Sequence, residues 1–232
     1  MMKGEVIIKD WKIKGAIFDL DGVLIDSMGV WKNLDKDFLK KRGFAVPQDI
    51  DKVVKSLSFQ DAAVYFKEKF RLSQTVAEIM GEWNKMVFDE YAFRIELKPG
   101  VREYLIYLKT QGIKIGLATS NTRKLTEVVL RNNNVYDYFE MIKTGDEVER
   151  DKNFPDIYLL CAEELQLEPE QCVVFEDILP GILSAKAAGM KTVGVYDQYS
   201  KHEWEEIKMN ATLCISSFEE LTERGIIEVC QK

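Results

Sequence analysis

Ile13-Lys14-Gly15-Ala16-Ile17-Phe18-Asp19-Leu20-Asp21-Gly22 reads as a short apolar run that ends abruptly in two carboxylates. The run predicts a buried strand, and the carboxyl end of such a strand is where open α/β sheets place their chemistry. Two aspartates separated by one leucine do not continue a core strand. Burying a single charge costs several kcal/mol unless it is paired or bound to a metal, so Asp19 and Asp21 predict a site that neutralises both. The plainer alternative is a strand-end turn built on Asp21-Gly22.

Beyond Gly22 the pattern changes from strand to helix. Trp31, Leu34, Phe38 and Leu39 recur at helical spacing before Gly43. Leu57, Ala62, Val64, Tyr65, Phe66 and Phe70 mark a second helical region, and Val76, Ile79, Met80, Trp83, Val87, Phe88 and Tyr91 a third. A segment this long between a strand and the next βα unit is a domain rather than a loop. The reading is an inserted helical bundle over 27–97 within a core made of 1–26 and 98–232. From Lys98-Pro99-Gly100 onward strands and helices alternate: helix over Val101 to Lys109, strand over Ile113 to Ala118, helix over Arg123 to Leu130 and over Asp156 to Glu164. Cys172 to Phe175 then reads as strand, Gly181 to Ala188 as helix, Thr192 to Val195 as strand, and Ala211 to Ile215 with Phe218 to Thr222 as a last βα pair. Four or five such strands predict an α/β fold, a three-layer Rossmann-like parallel sheet covered by helices on both faces.

Composition narrows the function. The 232 residues carry 32 Lys+Arg against 39 Asp+Glu, a net charge of -7, with no basic block, so no nucleic-acid partner is expected. The first ten residues carry Lys3, Glu5, Lys9 and Asp10, and no apolar stretch of spanning length occurs, so no membrane partner is expected either. Cys161, Cys172, Cys214 and Cys230 form no CxxC pair and His202 is the lone histidine, which excludes a structural zinc site of ordinary spacing. Reduced thiols and a cytoplasmic location follow. A monomer is expected, with a dimer as the alternative.

Three predicted strands end in polar residues: Phe18 in Asp19, Ala118 in Thr119-Ser120-Asn121, and Phe175 in Glu176-Asp177. In a parallel sheet these ends share one edge. Asp19, Asp21, Glu176 and Asp177 would form a mutually repulsive acidic group whose natural counter-ion is a hard cation with oxygen ligands, Mg²⁺ first. Thr119 with the backbone of Ser120 and Asn121, opening a helix, would suit phosphate, and Lys152 is the basic residue expected to reach the same crevice. Carboxylates, divalent metal, anion nest and lysine together describe phosphoryl transfer. A dinucleotide-binding turn G-x-G-x-x-G after the first strand and a P-loop are both missing from the sequence, and a single histidine leaves no Ser-His-Asp or Cys-His device.

Phe18 to Ser27 resembles the first motif of the haloacid dehalogenase-like hydrolases, in the branch of β-phosphoglucomutases and sugar-phosphate phosphatases. Leu117 to Asn121 resembles the second motif, Lys152 through Tyr158 the third, and Val174 to Asp177 with Gly181 the fourth. The resemblance implies that Asp19 is a nucleophile forming an aspartyl-phosphate, and that Asp21 serves as acid and then base, its backbone carbonyl ligating Mg²⁺. It implies Asp177 as a metal ligand with Glu176 as ligand or outer partner. Thr119 and Lys152 would hold the phosphoryl oxygens, and Gly22, Ser120 and Asn121 would line the substrate phosphate. The insert would be a cap closing over the site, with Gly22 and Lys98-Pro99-Gly100 as hinge candidates.

The chain departs from the mutases in the insert. Those members place a histidine where Trp31 stands and an arginine where Phe59 stands. Both aromatics are read as substrate-contacting, with insert core as the equal alternative. Asn153 also replaces a proline usual beside the motif lysine, and Ile178 a small residue usual after the acidic pair. The expected activity is Mg²⁺-dependent hydrolysis of a small phosphorylated metabolite of sugar- or polyol-phosphate type. A mutase, a weakly active phosphate-binding regulator, and a relative using Asp19 on carbon are the alternatives.

Overall fold

The apolar run before Asp19 forms β1 (Gly15–Phe18), every residue of it buried. The computed structural model describes residues 12–48, 50, 54, 57, 59–147 and 154–223. These group into two compact units, one comprising the chain up to Asp26 and from Ile95 onward, the other Ser27–Arg94. Ile95 to Leu97 go with the first unit, where Leu97 forms an antiparallel bridge with Ile25.

The first unit is built on β1, β2 (Lys114–Ala118), β3 (Met141–Lys143), β4 (Cys172–Glu176), β5 (Lys191–Val195) and β6 (Leu213–Ile215). All neighbours pair in parallel, in the order β3-β2-β1-β4-β5-β6. Side chains alternate across the sheet, as strand geometry requires. Ile17 enters one core with Ala118, Val174, Ile157 and Tyr158. Phe18 faces the other way and stacks on Phe175 at 4.5 Å between ring centroids, with Tyr104 and Phe218 around the pair. Helices therefore cover both faces and the unit has three layers, the expected α/β architecture. Tyr104 lies on the helix Val101–Thr110, and Ile157 and Tyr158 on Asp156–Glu164.

Among the described residues there are six strands, where the alternation of apolar runs predicts four or five. The additional one is β3, three residues at the sheet edge with Ile142 and Lys143 half-buried and only Met141-Ile142 apolar between Glu140 and Lys143. The expected helix after β4 begins earlier than read, at Leu179 rather than Gly181. His202, the lone histidine, lies in the turn before the helix Trp204–Asn210. Cys161 and Cys172 are buried and Cys214 is half-buried; burial pushes the Cys172 thiol up to about 11. Cys230 lies outside the described residues.

The second unit contains α1 (Met28–Lys41), α2 (Phe59–Lys69) and α3 (Val76–Phe93). Their apolar faces meet in a core of Phe38, Leu39, Ala63, Phe66, Ile79 and Trp83, and Phe66 packs edge-on against Trp83 at 5.2 Å. α3 starts with a capping box, Thr75 Oγ1 accepting from the Glu78 N–H and the Glu78 carboxylate accepting from the Thr75 N–H. Among the described residues no helix is long and apolar enough to cross a membrane.

Candidate active site

Strand register brings the two acidic motifs together. Phe18 pairs with Phe175, and the Asp19 N–H donates to the Phe175 carbonyl at 3.0 Å, which sets Asp19 beside Glu176 at the carboxyl edge of β1 and β4. In the order 3-2-1-4-5-6 this is the topological switch point, where open α/β sheets form their crevice. Asp19, Glu176 and Asp177 are all buried, and one carboxylate oxygen from each lies within 4.8 Å of the others. Three buried carboxylates this close repel unless a cation offsets them. An all-oxygen donor set of this kind could coordinate a divalent ion of the hard class.

Each carboxylate is held differently. Glu176 is the most enclosed: Oε1 accepts from the Tyr158 hydroxyl at 2.8 Å, while Oε2 accepts from the N–H groups of Asp177 and Ile178. Burial, with the negative charges of Glu176 and Asp19 nearby, pushes the Tyr158 phenol well above its ordinary range, so it stays a proton donor. Gly181 makes room for this carboxylate, because a Cβ there would come within 2.4 Å of Glu176 Cδ. Asp177 accepts from the Ser200 hydroxyl at 3.3 Å and lies against Gly22. Gly22 has φ +83°, and a Cβ on it would stand 2.5 Å from Asp177 Oδ2, so both the turn and the close approach require glycine.

Asp21 is half-buried and accepts at Oδ2 from the Asn121 side-chain amide at 3.0 Å. The other end of that amide is fixed too, Asn121 Oδ1 accepting from the Thr122 N–H at 2.8 Å. The Asn121 N–H donates to Thr119 Oγ1 at 3.1 Å. Asn121 thus joins the first motif to the second, its amide on Asp21 and its N–H on Thr119. Thr119 is buried and Ser120 exposed at the same loop. The Gly145 N–H donates to the Asn121 carbonyl at 3.0 Å and ties the loop after β3 to this turn. Lys152, with its neighbours Asp151 and Asn153, lies outside the described residues.

Trp31 and Phe59 belong to the second unit. They are 40% and 37% exposed, yet each also borders the insert core, Phe59 edge-on against Trp83 at 5.4 Å and Trp31 against the buried Tyr91 at 6.3 Å. Together with Leu34, Asp35, Leu57 and Trp83 they line a recess of about 180 Å³ within that unit. Trp31 Nε1 donates to the Tyr91 hydroxyl at 3.0 Å. Asp35 is buried there, at i+4 from Trp31 and so on the apolar face of the helix, where a carboxylate is unexpected. Tyr158, Ser200, Lys98 and Asp197 were likewise missed. Each reaches the site across a fold contact, and the one available signal was Asp197 two residues beyond a strand end.

The haloacid dehalogenase-like hydrolase model matches residues 16–195, from within β1 to the end of β5. The chain belongs to this family. Among relatives of this hydrolase, the phosphorylated carbohydrates phosphatase of Thermotoga maritima is 30% identical over 184 residues, covering 78% of this chain and 84% of that one. Hexitol phosphatase B of Escherichia coli (strain K12) is 27% identical over 223 residues, covering 93% and 97%. The crystal structure of β-phosphoglucomutase from Clostridium difficile superimposes with a TM-score of 0.64 at 25% identity, covering 92% of this chain and 95% of that one.

Proposed function

We propose that this hydrolase is a Mg²⁺-dependent phosphomonoesterase acting on a small phosphorylated metabolite of sugar- or polyol-phosphate type. The observation that carries the reading is the placement of Asp19 among the buried carboxylates of Glu176 and Asp177 while Asp21, two residues on, is held apart by Asn121. One aspartate is built into a cation site, and the other is aimed by a neutral amide, as an acid and base should be. Asp19 attacks phosphorus with a carboxylate oxygen. The bond to the leaving oxygen breaks, and Asp21 gives that oxygen its proton. Asp21 then takes a proton from water as the water oxygen attacks the aspartyl-phosphate, releasing inorganic phosphate and restoring Asp19.

Asp19, the Asp21 carbonyl and Asp177 would hold Mg²⁺, with Glu176 behind them because both of its oxygens already serve Tyr158 and the backbone. A bound Mg²⁺ supplies positive charge that offsets the repulsion between an anionic nucleophile and an anionic phosphate. Thr119 and Ser120 would bind the phosphoryl oxygens, and Lys152 would add the cation expected of the third motif. Trp31 and Phe59 would meet the body of the substrate. The names of the two phosphatase relatives support the same substrate class.

The likeness to β-phosphoglucomutase favours a second reading, in which the aspartyl-phosphate is passed to a sugar hydroxyl instead of water. Aromatic residues where mutases carry a histidine and an arginine support hydrolysis over transfer. Phosphate release should be measured across hexose, pentose and hexitol phosphates, nucleotides and phosphoglycolate, with Mg²⁺ and with EDTA. Release from sugar or hexitol phosphates that stops in EDTA is the expected result. Interconversion of β-glucose 1-phosphate and glucose 6-phosphate outpacing release would establish the mutase instead.

A further inference from the structure

Lys98 and Asp197, which belong to none of the four motifs, form an ion pair at 2.8 Å with their side chains only 15% and 3% exposed. The ammonium has three donors, and three acceptors meet it: the Asp197 carboxylate, the Tyr196 carbonyl at 3.3 Å and the Gly22 carbonyl. Its own N–H donates to the Leu24 carbonyl at 2.9 Å, so Lys98 grips the turn after Asp21 through both backbone and side chain. Asp197 is fixed at its other oxygen by the Tyr199 N–H at 2.8 Å, which folds the chain back toward β4. Ser200 completes that turn, its hydroxyl donating to the Asp197 carbonyl at 3.4 Å and to Asp177 Oδ2 at 3.3 Å. Asp177 in turn abuts Gly22 too closely for a Cβ between them. The contacts therefore close into a ring through Lys98, Gly22, Asp177, Ser200 and Asp197.

We propose that Lys98 and Asp197 are positioning residues for the divalent-cation site, setting the separation of the Asp21-Gly22 turn from the Asp177 carboxylate. The inference rests on reading Asp19, Glu176 and Asp177 as that site. Two charges are withdrawn from water to make this pair, a cost that an apolar pair would not incur, and the geometry they obtain is a direct bond to the Gly22 carbonyl on one side and, through the turn that Ser200 closes, an indirect link to Asp177 on the other. Outer partners of this sort orient ligands, and losing them weakens metal affinity roughly 10- to 100-fold.

The test is Mn²⁺ binding, followed by the electron paramagnetic resonance of the free ion. It compares the wild-type protein, Asp177→Asn, Ser200→Ala, and the double variant Lys98→Met/Asp197→Asn, which removes both charges and leaves neither stranded. Wild type should bind Mn²⁺ saturably in competition with Mg²⁺, and Asp177→Asn should not. Ser200→Ala and the double variant, each with a native circular dichroism spectrum, should bind about tenfold more weakly or worse. Phosphatase activity lost at low Mg²⁺ should return at high Mg²⁺, which a general loss of structure would not allow. Mn²⁺ affinity within twofold of wild type in the double variant would overturn the inference while leaving the cation site standing, whatever Ser200→Ala does, since Ser200 touches Asp177 directly. Asp197→Asn decides alone if the double variant does not fold. A wild-type protein that binds no Mn²⁺ would overturn the cation site itself, and the inference with it.

Discussion

Replacing Asp19 by asparagine removes one negative charge from a group whose three buried carboxylates have oxygens within 4.8 Å of one another. Without metal, that relieves repulsion, so Asp19→Asn should unfold at the wild-type temperature or above it while phosphate release falls more than about a thousandfold. Calorimetry beside a phosphate-release assay separates the two effects; full activity in the variant would take the nucleophile's role from Asp19. Asn121→Ala acts on direction rather than charge. With the amide gone from Asp21 Oδ2, the carboxylate loses its aim, and kcat should fall between about ten- and a hundredfold with KM little changed. Gly181→Ala tests packing: a Cβ overlapping Glu176 should cost about 1–3 kcal/mol in urea unfolding. At this scale Asp19, Thr119, Glu176 and Asp177 were legible because each directly follows an apolar strand. Tyr158, Ser200 and Lys98 were not, because they meet the site through contacts 18, 23 and 76 residues apart that no local pattern encodes.

At the level of elements, legibility follows the apolar run. β1, β2, β4 and β5 have interiors buried on both faces and read as apolar runs; β6 and β3 each have one buried residue of three, but β6 is apolar throughout while β3 offers only Met141-Ile142 between Glu140 and Lys143 and could not be told from a loop. The helices of the insert read correctly from their periodicity, and beside the apolar core that joins α1 to α3 runs a polar tie that periodicity does not show. Arg42, just past α1, bonds Glu82 on α3 and Gln74 before it, and Gln74 reaches Glu82 at 3.1 Å. The hydrogen bond from Arg42, against some desolvation, holds the Glu82 carboxyl below its usual range. A carboxyl lowered on folding adds stability above its unfolded pKa and loses it as pH falls through the folded value. Acidification from pH 5 toward 3 should therefore cost the native state this contribution, about 1 kcal/mol for a pair that water still reaches. Glu82→Gln should be less stable at pH 7 and should lack this part of the acid dependence in urea midpoints taken across that range. An unchanged acid slope would mean that the pair stabilises nothing.

Over the whole molecule, all the carboxylates assigned to Mg²⁺ fall in the unit bounded by Asp26 and Ile95, although the chain leaves that unit for the stretch Ser27–Arg94 between the first motif and the second. The sheet order explains how residues so far apart in sequence converge, since β1 and β4 become neighbours only when the chain reverses direction at the switch point. A ligand that binds only the folded state stabilises it by about 2.7 kcal/mol at a hundred times its Kd. That stabilisation should be local, because opening the β1 and β4 ends releases the ion while opening α1, α2 or α3 does not. Hydrogen exchange followed by mass spectrometry, with and without Mg²⁺, should show added protection in peptides covering 16–25 and 172–179 and none over 59–93. Asp177→Asn should abolish the difference. Protection centred on α2 and α3 instead would place the ion in the insert and remove Asp19, Glu176 and Asp177 from its coordination.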